Sequence, residues 1–139
     1  VFQTRKNLDN VFNSTTFDSK LVFRKTAMIR IIRNKAIPQQ IEEMLSALRT
    51  YIKLAVDIQR EILAGGGILH SDCEAELLED GSRQEDIWGA DWVPESQEVH
   101  FEALINIRPK QNNLSMEITD PNIRSKVESV VRNLLEGVK

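Results

Sequence analysis

Between Leu69 and Leu78 the sequence LHSDCEAELL puts His70, Asp72, Glu74 and Glu76 at every second position. Side chains alternate along a strand, so an extended backbone here gathers those four groups on one face. Leu69, Cys73, Ala75 and Leu77 then turn to the other. Asp80-Gly81 follows, a pair suited to a type I′ hairpin because both central residues of that turn need positive φ. Folded about this turn, the next segment adds Glu85, Ile87 and Asp91 to the acidic face and sets Cys73 opposite Trp88 on the core side. A hard cation such as Mg²⁺ or Mn²⁺ takes a few carboxylate oxygens and completes its shell with water. Asp72, Glu74 and Glu85 are the expected ligands of such a divalent cation, with His70 as a base near neutral pH. A half-exposed antiparallel strand shows the same alternation for no chemical reason. Like charges across a ladder cost only a few tenths to about 1 kcal/mol, so a solvated sheet face tolerates them.

The other reactive residue types carry weaker signals. On a strand, His70 and Cys73 face opposite sides, which keeps the imidazole from the thiol and leaves Cys73 as a buried free cysteine. Gly65-Gly66-Gly67 lacks both the G-x-G-x-x-G spacing and a following Lys-Ser/Thr, so a tight bend or bulge is expected there, not a phosphate loop. Trp88 is expected in the core, while Trp92 is a candidate to cap a groove or a dimer surface. Arg108, Asn112 and Asn113 cluster with Asn106, Lys110 and Gln111 where a strand gives way to a loop. Amides and a guanidinium there suit an anion, a base edge or a partner's backbone. Asn-Asn equally suits a plain turn. Arg30, Arg33 and Lys35 form a basic strip too sparse to indicate nucleic acid.

The elements that must position these groups follow from the hydrophobic pattern. Ile29, Ile31 and Ile32 mark a short strand beginning near Met28. Pro38 fits the first position of a helix whose Ile41, Met44, Leu45 and Leu48 recur at helical spacing. Tyr51 to Ile58 alternates with period two, and residues through Ala64 extend it or bend into a second strand. Val99 to Ile107 is a further strand, closed by Pro109. Asp120-Pro121 opens a final helix with Ile123, Val127, Val130, Val131, Leu134 and Leu135 on one face, and Gly137 ends it. The expected fold is α+β: an antiparallel or mixed sheet of about five strands, with two helices packed mainly on one face.

Composition bounds the rest. A chain of 139 residues with a net charge of −3 fits one domain and gives no whole-molecule attraction to DNA or anionic lipid. Its one cysteine permits no internal disulfide and suits a reducing compartment, so the expected setting is the cytoplasm, with no membrane span. Residues 1–27 carry five basic against two acidic residues, are rich in Ser and Thr, and show no sustained period. They are expected to be a disordered or extraneous leader, with residues 28–139 forming the α+β domain.

The strings ILAGGG (62–67), HSDCEAELLEDGSRQEDIWGA (70–90) and INIRPKQNNLSMEITD (105–120) resemble a small prokaryotic family known as a domain of unknown function. The resemblance runs from about residue 28 to 135. It implies a stand-alone soluble domain and brings no activity, cofactor or site residue. The function expected from the residues is a small binding or interaction module without catalysis of its own, partnered by itself as a homodimer or by another protein. A Mg²⁺- or Mn²⁺-dependent hydrolase acting on a phosphate ester is the alternative, with Arg108 steadying the anion. Nucleic-acid binding is the weaker third reading.

Overall fold

The computed structural model describes residues 28–139; the leader expected over residues 1–27 lies outside them. Five strands form one antiparallel sheet: β1 (Arg30–Ile32), β2 (Ile52–Asp57), β3 (Ile62–Gly67), β4 (Ile87–Val93) and β5 (Glu98–His100), in the order β1-β3-β2-β4-β5. Three helices, not the two expected, accompany it among the described residues: α1 (Pro38–Met44), α2 (His70–Glu79) and α3 (Pro121–Leu135).

The extra helix comes from the segment expected to be an acidic strand. Only Cys73, Glu74 and Leu77 are buried in α2, whereas Ala75 is exposed. Spacings of one, three and four residues define a helical face; the period-two pattern held only because Ala75 counts as apolar. The helix starts where the Asp72 carboxylate accepts the Leu69 N–H at 3.3 Å. Asp80-Gly81 stops the helix instead of turning a hairpin: Gly81, at φ 104°, donates to Leu78 O, and Ser82 donates to Leu77 O at 2.9 Å. Those two bonds form a Schellman motif, which uses left-handed glycine just as a type I′ turn does.

Because β2 lies in the middle of the sheet, both its faces are covered. Ile52, Leu54 and Val56 pack with Trp88, Ala90 and Trp92 of β4 against Ile41 and Met44 of α1 and Val127, Val131 and Leu135 of α3. Ala55, Ala64 and Ile87 lie on the opposite face, beneath Cys73 and Leu77 of α2. Two helices therefore share one face, as expected, and the third makes a separate layer.

The glycine triplet belongs to β3 and contains the expected bulge. Lys53 pairs with Gly67 and Leu54 with Gly65, so Gly66 is the extra residue, at φ 107°. A Cβ on Gly66 would come within 2.4 Å of Met28 O, and one on Gly67 within 3.1 Å of Cys73 Sγ. The missing side chain at Gly67 lets the strand run close under the head of α2, and the one at Gly66 admits the Met28 backbone.

Candidate functional site

After β5 the chain makes an excursion over residues 101–119 that ends as α3 begins. Two buried asparagines hold it. β5 pairs only with Asp91–Val93, so it leaves the edge of β4 open at Gly89. The Asn106 amide takes the place of a strand there: Oδ1 accepts the Gly89 N–H at 2.7 Å and Nδ2 donates to Gly89 O at 3.1 Å. The same Nδ2 reaches Phe101 O and Met116 O. Asn113 Nδ2 donates to the carbonyls of Asn106, Ser115 and Glu117, while its Oδ1 accepts from the N–H and hydroxyl of Thr119. Asn112 is exposed and adopts the left-handed conformation at φ 60°, which asparagine tolerates in a turn. The Asn112-Asn113 pair, expected as a contact for a ligand or partner, makes a turn and its staple.

Arg108 is a clamp of the same kind. Its Nε donates to Ile105 O, Nη1 to Gln84 O at 2.6 Å, and Nη2 to Glu74 at 3.3 Å, with the guanidinium 4.9 Å from the Trp88 ring centre. Burial lowers the Arg108 pKa and the Glu74 charge opposes that shift. Glu74 and Arg108 are thus joined across the layers, as an internal ion pair. A hollow of about 530 Å³ opens beside them, lined in part by Gln84, Ile107 and Lys110.

The carboxylates expected to share a cation are separately engaged. Asp72 accepts at the start of its own helix, Glu74 faces Arg108, and Glu85 pairs with Arg83 on the surface. Among the described residues no group of three or more His, Cys, Asp or Glu side chains is arranged to hold a metal ion. The strand face that was to gather them is a helix, which spreads positions 72, 74 and 76 around its circumference. Trp92, expected to cap a groove or a dimer surface, is instead fully buried, with Arg132 5.8 Å from its ring centre. In the basic strip Arg30 pairs with Glu43 and Arg33 with Asp80. The Cys73 thiol donates to Lys53 O, and burial pushes its pKa up to about 12, so it carries no thiolate near neutral pH.

His70 is differently placed. It is the first residue of α2, and its Nε2 lies 2.8 Å from Asp91 Oδ1 and 3.2 Å from Ala90 O. Both neighbours are acceptors, so Nε2 carries the proton. Nδ1 has no protein partner among the described residues. The ring lines a hollow of about 250 Å³ between the head of α2 and the excursion. Leu69, Ala103, Leu104, Ile105 and Met116 supply apolar walls, and Lys53, Ser71 and Glu102 the polar ones. Leu104 is 73 % exposed, Leu69 53 % and Met116 39 %, although all three are large apolar residues. Gly89 lets the excursion settle against β4, since a Cβ there would come within 2.5 Å of Ala103 Cβ.

Of the expected site residues, then, the hollow contains only His70. Lys53, Leu104 and Met116 join it, and Asp91 engages His70, through tertiary contacts between separate segments of the sequence. The hairpin expected about Asp80-Gly81 places Asp91 on the His70 face, so the pair is anticipated there, but on a strand where the structure has a helix.

Residues 30–134 match the model of a protein family of unknown function, DUF5674. The chain belongs to the DUF5674 family. No curated protein and no solved structure matches it. The family match covers the whole sheet and the hollow, and ends within α3. No helix among the described residues is long and apolar enough to cross a membrane.

Proposed function

We propose that this DUF5674 protein is a small binding module and that the hollow at the head of α2 is its ligand site. The observation that supports this most directly is the exposure of Leu69, Leu104 and Met116 around one concavity whose wall includes the half-buried His70, itself paired with Asp91. Exposed apolar residues gathered at one place mark a contact surface, and ligand sites combine apolar walls with a few convergent polar groups. At about 250 Å³ the hollow falls just below the range of roughly 300–1,000 Å³ typical for drug-sized ligands, which favours a small molecule or a single side chain. In this reading His70 is a ligand contact: Asp91 fixes its tautomer and orientation, leaving Nδ1 to accept a hydrogen bond.

The test uses a neutral probe, N-acetyl-leucinamide, titrated into protein labelled at Leu, Ile and Met methyls and at histidine nitrogens. Saturable shifts confined to Leu69, Leu104, Ile105, Met116 and His70 are expected. Spectra unchanged up to the solubility limit of the probe, or shifts clustered elsewhere, would contradict the reading.

A further inference from the structure

The polar lining of this hollow defines a ligand class. Lys53 and Glu102 both line it, and neither forms an ion pair with another described residue. Lys53 is half-buried on β2, directly opposite Asp91 in the register, yet Asp91 is engaged by His70. One unpaired cation and one unpaired anion face the same small space, so a ligand of single charge would satisfy one and oppose the other. A neutral apolar ligand would leave both unmatched. A ligand with an ammonium and a carboxylate satisfies both. The remaining walls are Leu, Ala, Ile and Met side chains, which call for an apolar group alongside the two charges.

From this juxtaposition we infer that the site takes a free apolar α-amino acid of about the size of leucine, in its zwitterionic form. The inference rests on the ligand-site reading above and specifies its occupant. Lys53 holds the carboxylate, assisted by the N–H groups of His70 and Ser71, which open α2 and have no acceptor among the described residues. Glu102 holds the ammonium, with His70 Nδ1 as a second acceptor. Leu104, Ile105 and Met116 receive the side chain. Both charges reside on one Cα only in a free amino acid; a peptide's last residue offers the carboxylate alone and its first residue the ammonium alone.

Isothermal titration with L-leucine, N-acetyl-leucine and leucinamide separates these cases, using wild type, Lys53→Met and Glu102→Gln. Hydrogen bonds to charged groups are strong enough that losing either should weaken binding roughly tenfold or more. Leucine is therefore expected to bind at least about tenfold tighter than either analogue. Lys53→Met should erase its advantage over leucinamide, and Glu102→Gln its advantage over N-acetyl-leucine. Glu102 is exposed, so its variant keeps the test open should Lys53→Met fold poorly. An analogue that binds as tightly as leucine would overturn the inference and point to a peptide end. Binding of N-acetyl-leucinamide without any preference for leucine would overturn it while sparing the ligand site. Failure of all three compounds here, and of N-acetyl-leucinamide in the methyl titration, would remove both.

Discussion

Replacing Asn106 by alanine should be among the most damaging single changes outside the apolar core. The side chain is fully buried and makes four hydrogen bonds to the backbone. Their loss is unequal. Phe101 O still accepts from Ile118 N–H and Met116 O from Ala103 N–H, so those carbonyls keep a partner. The Gly89 N–H and C=O lose the partner that the open edge of β4 provided. A buried orphaned group costs about 1–3 kcal/mol, which puts Asn106→Ala at roughly 3 kcal/mol. For a unit of this size that corresponds to a fall in Tm on the order of 12 °C. Equilibrium unfolding in urea measures it, with Asn106→Asp alongside. Aspartate keeps the volume and the acceptor for Gly89, but sets an oxygen where Nδ2 donated to three carbonyls. It should therefore destabilise at least as much as alanine. A loss below about 1 kcal/mol for alanine with unchanged m, or a near-native aspartate variant, would refute the view that this amide holds the excursion.

Other outcomes follow from the same packing. Gly89→Ala should cost about 1–3 kcal/mol and weaken ligand binding by displacing Ala103 and Ile105; unchanged stability and binding would contradict the close approach. Cys73, its thiol pushed up to about 12, should resist labelling by a disulfide reagent at neutral pH until the protein unfolds, and rapid native-state labelling would count against its burial. Hydrogen bonds from Arg33 and Arg60 hold the Asp80 carboxyl down to about 2 from an ordinary 3.8. A depressed carboxyl stabilises the fold above its unfolded pKa, and that contribution disappears as pH falls from about 4 to about 2. Melting curves of wild type and Asp80→Asn should converge across that window; a constant difference between them would contradict the pairing.

How much of this was legible in the sequence depended on whether local pattern and tertiary environment agreed. β2 and α3 were, because Ile52, Leu54 and Val56 alternate cleanly and Val127 to Leu135 keep helical spacing beside a good Asp120-Pro121 start. The Gly66 bulge was also legible, since three consecutive glycines in an apolar segment have few other uses. α2 was not. Its ten residues bury only three, and its capping residue Asp72 and terminal Gly81 look the same as a strand's polar position and a hairpin glycine. The candidate site was legible only at His70. Its partner Asp91 is expected on the same face only through a hairpin that the structure replaces with a helix, and the hollow depends on how the excursion folds over Gly89. In the sequence Arg108, Asn112 and Asn113 are polar groups beside a loop, a pattern that suits a ligand or partner contact. Arg108 and Asn113 instead satisfy backbone and side-chain partners within the fold, and Asn112 supplies a left-handed turn position.

Crystals of the protein soaked in a small alcohol such as isopropanol test the central claim most directly, because the solvent molecules report which surface accepts an apolar guest. Ordered alcohol is expected among Leu69, Leu104, Ile105 and Met116, its hydroxyl within reach of His70 Nδ1, with the His70–Asp91 contact intact. Alcohol bound only elsewhere, with this hollow collapsed or holding water alone, would contradict the account.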